Sequence, residues 1–188
     1  MELLQKNGIF DVKGLELNPN AVKKCKEKGL NVENNLIENE AFTNIEYYDS
    51  VCHFQVLEHI FSVNEFIGAS LKTLKKGGKL IIGVPNNNPF LFISDKWHIL
   101  NLPPHHAGLW NEKSLESLEK VFPIKLKKIE FEPLVNSYDY FIKIQTDNAK
   151  YLKRLILKAL VRVAPKLLKY FYCKLVNGRN VLAVFVKQ

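Results

Sequence analysis

Three groups of residues have the types and spacing for chemistry. Glu16 ends an apolar segment, Phe10 to Leu17, and is followed at once by Asn18-Pro19, a helix start. A carboxylate at the tip of a strand can accept hydrogen bonds from both vicinal hydroxyls of a ribose; the alternative is an exposed acid near a helix N-terminus. His105 and His106 follow Pro103-Pro104 inside a long Pro- and Asn-rich segment. A histidine there can take the proton from an attacking hydroxyl or amine near neutral pH, or it can cap the next helix or pack on Trp110. Glu58-His59 lies in VLEHI, an apolar turn that favours a packed His59 over a ligand.

The elements that must position these residues alternate between strand and helix. Met1 to Asn7 is expected as the end of a helix with Gly8 as its C′ residue. Asn18 caps a helix over Pro19 to Lys28 that Gly29 closes, and a short strand over Leu30 to Asn34, an acidic loop and a strand over Asp49 to Gln55 follow. In FSVNEF, Ser62 and Glu65 have capping-box spacing, with Phe61 and Phe66 at the staple positions. That helix is expected to run to Gly77-Gly78. KLIIGV, ended by Pro85, is an all-apolar strand suited to a sheet covered on both faces. Asn111 caps a helix over Glu112 to Val121, and strands follow over Ile124 to Phe131 and, after Gly178, over Asn180 to Val186. Such an order means an α/β three-layer sandwich with a mostly parallel sheet, in a single domain over 1–188.

At 188 residues and 47% hydrophobic content the chain can bury a continuous core. No apolar run approaches the roughly 18 uncharged residues of a membrane span. Glu2 and the lack of a long apolar centre argue against a signal peptide, so the expected compartment is cytoplasmic. Cys25, Cys52 and Cys173 are too dispersed for a disulfide framework or a zinc site and are read as reduced thiols, with Cys52 buried in its strand. The net charge of +8 is local: nine Lys/Arg and no Asp/Glu lie between Tyr151 and Gln188, which leaves 18 basic against 19 acidic residues before them.

That charge sits on a basic amphipathic helical insertion at 148–177, broken at Pro165, in which Arg154, Lys158, Arg162 and Lys166 recur every four residues. A helix of this kind over 151–174 can lie on an anionic membrane surface, or it can serve as a lid with a solvated basic face. Nucleic acid is not an expected partner, because the aromatics Tyr170, Phe171 and Tyr172 read as core. Nothing in the pattern sets an oligomeric state.

YYDSVCHFQVLEHI, through Asp49, Val51, Phe54, Gln55, Val56, Leu57, Glu58, His59 and Ile60, resembles the segment after the fourth strand of class I S-adenosylmethionine-dependent methyltransferases of the small-molecule, ubiquinone-biosynthesis type. LKKGGKLIIGVPN resembles the fifth strand of that family and PPHHAGLWNEKSLESLEKVFP its following segment, while GRNVLAVFVKQ resembles the seventh strand. The resemblance implies a Rossmann-like sheet with an antiparallel last strand, S-adenosyl-L-methionine as cofactor and a small-molecule substrate, such as a sugar or lipid-linked intermediate, methylated on oxygen or nitrogen. It implies that Glu16 holds the ribose and Leu17 packs near the adenine. Ile37 and Glu38 would approach the adenine, and Phe54 and Gln55 would line the methionine part. His105 and His106 are the catalytic candidates. In the ubiquinone-biosynthesis type an acid three positions before the Glu-His pair helps to bind a divalent metal; here that position is Gln55, so no metal is expected.

In dinucleotide-type folds the ribose acid lies about 20 residues beyond the glycine-rich loop, which from Glu16 falls before Met1. The expectation is an N-terminally truncated methyltransferase missing its first, central strand and its G-x-G-x-G loop, with activity in question. The alternative is a non-catalytic methyltransferase-like remnant or partner subunit. A nicotinamide-dependent dehydrogenase would account for Glu16 but not for VLEHI or PPHH.

Overall fold

The structure is a computed structural model that describes residues 1–9, 11–87 and 102–188. A short helix α1 (Glu2–Lys6) ends at Asn7, and Gly8 takes the positive φ that lets the chain turn away. Strand β1 (Gly14–Leu15) then leads to α2 (Pro19–Glu27), whose first turn is capped by Asn18 Oδ1 accepting from the amides of Asn20 and Ala21 at 2.9 and 3.4 Å. Strand β2 (Val32–Glu33) pairs in parallel with β1, and the amide of Glu16 extends the ladder by donating to the Glu33 carbonyl at 3.0 Å. Both strands are shorter than the apolar pattern suggested.

The segment expected as an acidic loop is instead helix α3 (Ile37–Thr43), whose Ile37, Glu40 and Ala41 are buried. Strand β3 (Tyr48–Phe54) runs into a 3₁₀ turn, Leu57–His59, and α4 (Val63–Thr73) follows. Ser62 is the N-cap of α4, but its ψ of 65° departs from the extended backbone that presents a capping oxygen, and its hydroxyl caps nothing. Phe61 stays exposed, so the expected capping box and staple are not made. Helix α4 also stops before the glycines: the amides of Glu46 and Tyr47 take the carbonyls of Lys72 and Thr73 at 2.9 Å, which draws Leu74 into a strand beside Tyr48.

Strand β4 (Leu74–Pro85) carries a register irregularity opposite Tyr48 to Ser50, around Gly77 at φ +75°. Helix α5 (Glu112–Glu116) starts with a reciprocal capping box between Asn111 and Ser114 and tightens into a 3₁₀ turn, Ser117–Lys120. Strand β5 (Ile124–Pro133), a 3₁₀ turn at Leu134–Asn136 and helices α6 (Tyr138–Asp147), α7 (Tyr151–Val163) and α8 (Pro165–Leu175) precede strand β6 (Asn177–Lys187). Helix α6 was not anticipated; it makes the insertion before the last strand longer than 148–177.

The larger sheet has the order β3-β4-β6-β5, with β3 parallel to β4 and β6 antiparallel to both of its neighbours. This is the mixed α/β architecture expected, mostly parallel with an antiparallel last strand. Strands β1 and β2 form a separate two-stranded sheet, and among the described residues no strand lies between β1 and β3. Leu80, Ile82 and Val84 alternate along β4, and Val181, Ala183 and Phe185 alternate along β6. With Phe66, Ile67 and Leu71 of α4 and Leu115 of α5 they form the main core. The opposite face is less covered, contrary to a sheet buried on both sides. Cys52, register partner of Ile81, is exposed rather than buried because β3 is the outer strand and α4 packs on the His53 side. A second cluster joins Leu134, Tyr138, Phe141 and Ile144 to Tyr172 and Cys173 of α8.

One buried carboxylate ties the two sheets together. Glu40 of α3 accepts from Tyr48 Oη at the start of β3, from Asn44 Nδ2 at 2.9 Å and from Lys13 Nζ, just before β1, at 3.0 Å. Lys13 reaches Glu33 of β2 as well, at 2.9 Å. Burial opposes the charge on Glu40, but the hydrogen bonds from Tyr48 and Lys13 outweigh it and hold its pKa below the usual carboxylate value. Strands β1 and β3 therefore set out from the same end of the molecule.

Candidate functional site

Ligands of open α/β sheets bind beyond the carboxyl ends of the parallel strands, and Glu16, Gln55 and Asn86 each come directly after such an end. Glu16 is half-buried, and its Oε1 accepts the amide of Asn18 at 2.8 Å. Asn34 fastens the turn by donating to the carbonyls of Glu16 and Leu17, each at 2.8 Å. One carboxylate oxygen is thus oriented by a backbone amide within a turn that Asn34 holds, and Leu17 beside it is exposed. Ile37 and Glu38 open α3: Ile37 is buried in the main core and Glu38 is half-buried, so a side chain from this position joins the core rather than a loop.

At the end of β3, Gln55 adopts φ +55°, unusual for a residue with a Cβ, and its amide donates to the Gly83 carbonyl at 2.8 Å. The Phe54 ring lies over Gly83, where an added Cβ would come within 2.9 Å of Phe54 Cδ1. The Gln55 side chain donates to Asn180 Oδ1 at 3.4 Å, and Asn180 in turn donates to Glu132 at 2.8 Å. Because β6 is antiparallel, its first residues lie at the same rim, with Asn180 the register partner of Pro85. Asn86 is buried there, its amide donating to the Arg179 carbonyl and its Nδ2 to the Gly178 carbonyl.

The 3₁₀ turn after β3 brings the Glu-His pair against the histidine loop. The Glu58 carbonyl accepts from the amides of Ala107 at 2.7 Å and Gly108 at 3.1 Å, while His59 Nδ1 lies 2.5 Å from the His105 carbonyl. His59 and His106 stand edge to face with ring centroids 5.0 Å apart. Glu58 is 1% exposed, burial raises its pKa, and its Oε2 has no hydrogen-bond partner among the described residues. One donor atom from each of Glu58, His59 and His106 lies within 4.8 Å of the others.

Sequence reasoning placed these residues unevenly. His59, expected to be packed, is half-exposed and takes part in the cluster. The two candidate histidines divide: His106 turns its ring toward His59, whereas exposed His105 contributes its carbonyl. Glu58 stands out in the sequence only as part of VLEHI; the signal that marks it is a carboxylate in an otherwise apolar turn, which must find a partner. No metal was expected, yet a buried carboxylate oxygen without a partner among the described residues, beside two imidazoles, is a donor set that fits a divalent cation.

A family model described as a methyltransferase domain matches residues 1–122. The chain is 30% identical over 144 residues to the mitochondrial ubiquinone biosynthesis O-methyltransferase of Dictyostelium discoideum, an alignment that covers 70% of this chain and 43% of that protein's length. Among solved structures, an S-adenosylmethionine-dependent methyltransferase from Archaeoglobus fulgidus superposes with a TM-score of 0.60 at 17% identity, covering 99% of this chain and 80% of that one. A phosphoethanolamine N-methyltransferase of Haemonchus contortus, in complex with S-adenosylhomocysteine, superposes with a TM-score of 0.56 at 18% identity, covering 99% of this chain and 46% of that one. S-adenosyl-L-methionine is accordingly the expected cofactor. With the strand order, the antiparallel last strand and the family match over most of its length in agreement, the chain belongs to the class I S-adenosylmethionine-dependent methyltransferases.

Proposed function

We propose that this protein transfers the methyl group of S-adenosylmethionine to an oxygen or nitrogen of a small molecule, such as a sugar or a lipid-linked intermediate. Oxygen is the favoured acceptor, because the curated relative is named an O-methyltransferase. The observation that supports the reading is the Glu58, His59 and His106 cluster, two of whose members lie in the turn that follows the carboxyl end of β3. In it, Glu16 accepts hydrogen bonds from the ribose hydroxyls, Leu17 and the start of α3 at Ile37 and Glu38 flank the adenine, and Phe54 and Gln55 wall the methionine part.

Methyl transfer requires the acceptor atom, the methyl carbon and the leaving sulfur to be in line, so alignment is the main task of these residues. His105, in a movement of its loop, would take the acceptor's proton, and His106 would do so where no cation occupies its ring nitrogen. Glu58, His59 and His106 would hold a divalent cation, which when bound would orient an acceptor hydroxyl and lower its pKa. The test is calorimetric binding of S-adenosylmethionine to the chain and to Glu16→Ala, followed by transfer of labelled methyl to phenols, sugars and amines. Binding that Glu16→Ala leaves unchanged would refute the ribose assignment.

A second reading, a non-catalytic methyltransferase-like subunit, is favoured by one observation: β1–β2 and β3-β4-β6-β5 are separate sheets among the described residues. It expects no cofactor heat and no transfer in the same experiments.

A further inference from the structure

Helix α7 faces the wrong way for a helix of a water-soluble surface. Side chains advance about 100° per residue around an α-helix. On that wheel Leu155, Ala159, Leu152, Val163, Ile156 and Leu160 fill one unbroken sector of roughly 140°. An amphipathic helix ordinarily turns such a sector to the core. Here Leu157 is the one buried residue of α7, and it lies roughly 130° away from the middle of the sector. The two residues at that middle, Leu152 and Val163, are 70% and 82% exposed. The apolar face points outward, and among the described residues nothing covers it.

Cations border this face. Arg154, Lys158 and Arg162 follow one edge and Lys153 the other, and from Lys150 through Lys174 there are eight Lys/Arg and no Asp/Glu. Helix α8 continues the arrangement: Tyr172 and Cys173 pack into the second cluster, while Leu167, Tyr170 and Phe171 are exposed. Lys174 Nζ sits 4.6 Å from the centroid of the Tyr170 ring. Two of the three aromatics that read as core are therefore at the surface.

We infer that α7 and α8 dock on an anionic lipid bilayer, with the apolar sector of α7 among the acyl chains and the bordering cations on the headgroups. Charge complementarity selects this occupant. A second copy of the chain would set eight cations against eight with no acid between them. A nucleic acid would need cations at the centre of the face, where Leu152 and Val163 stand, rather than along its edges. Tyr170 and Phe171 suit the level of the headgroups, where a ring can be half wet. The inference does not depend on which acceptor is methylated.

Co-sedimentation of the full chain with phosphatidylcholine vesicles, with and without phosphatidylglycerol, tests it. Sedimentation with the anionic vesicles only, weakening as salt is raised, is the expected result. Each of Lys158→Gln and Arg162→Gln should lower partitioning roughly fivefold, and Leu152→Asp with Val163→Asp should abolish it, while circular dichroism stays unchanged. Leu152→Trp provides an independent readout, since its fluorescence should shift to the blue when anionic vesicles are added. No shift and no sedimentation would overturn the inference. So would a dimer in sedimentation velocity that the double aspartate variant splits, or tighter binding to single-stranded RNA than to the vesicles.

Discussion

Removing the Glu40 carboxylate tests whether one buried ion network joins the two sheets. In Glu40→Ala the hydroxyl of Tyr48 and the amide of Asn44 lose their acceptor and Lys13 loses one of its two carboxylates. Glu40 is 2% exposed and the Lys13 side chain 20%, so this is a largely buried pair, for which loss of one partner costs roughly 3–5 kcal/mol. Lys13 keeps Glu33, which places the expected loss near the lower end, about 3 kcal/mol. That is a large share of the roughly 5–15 kcal/mol that holds a domain folded, and it should lower Tm by roughly 6–12 °C. Urea unfolding followed by far-ultraviolet circular dichroism at neutral pH measures it, with Glu40→Gln expected to fall between the wild type and Ala. The sign of the pH effect follows from the lowered pKa: the stabilisation is complete above the unfolded carboxylate's pKa and disappears as pH falls through the folded one. The gap between wild type and Glu40→Ala should therefore close in acid. A loss below about 1 kcal/mol, the value of an exposed pair, or a gap that persists in acid would refute the network's role.

The buried His53, hydrogen-bonded to Ser70 at 2.9 Å, has its pKa pushed down to about 4 by burial. Its neutral form is the one the fold accepts, so stability should fall as pH drops from the unfolded value of about 6.5 toward 4, by on the order of 3 kcal/mol, and His53→Gln should flatten that slope in urea melts. Calorimetric titration with Mn²⁺ should show binding to the wild type and at least roughly tenfold weaker binding to Glu58→Gln or His106→Ala; an absence of heat with the wild type would remove the cation from the site. Gly178→Ala places a Cβ 2.5 Å from the Glu132 carbonyl of the neighbouring strand, so β5 and β6 must part or shift, and the urea midpoint should fall by the equivalent of roughly 1–3 kcal/mol.

Where local chemistry decides a segment, the sequence was sufficient. Asn18-Pro19 with Gly29 bounded α2, and KLIIGVP and NVLAVFV could only be strands. Where a distant partner decides, it was not. The α3 segment has no polar N-cap, Leu36 occupying that place, and its first turn is ordinary for a loop; Glu40 holds it through Tyr48 and Lys13. Helix α4 ended early because Glu46 and Tyr47 compete for its last carbonyls, and Cys52 stayed exposed because of which strands surround β3. At the site, the Glu16 turn and the order of VLEHI and PPHH were legible as pattern. That His106 rather than His105 turns its ring to His59 depends on loop hydrogen bonds to Glu58 and His59, which span nearly fifty positions of chain.

The helical insertion leaves the larger sheet at the carboxyl end of β5 and re-enters it at Asn177, three residues before Asn180 and the rim that holds Gln55. A bilayer held against α7 and α8 would therefore lie beside the mouth of the site. An acceptor dissolved in that bilayer would arrive by lateral diffusion, and its turnover would follow its mole fraction among the lipids instead of its concentration in the surrounding water. Diluting such an acceptor with inert lipid would slow the reaction even at a fixed total amount in the tube.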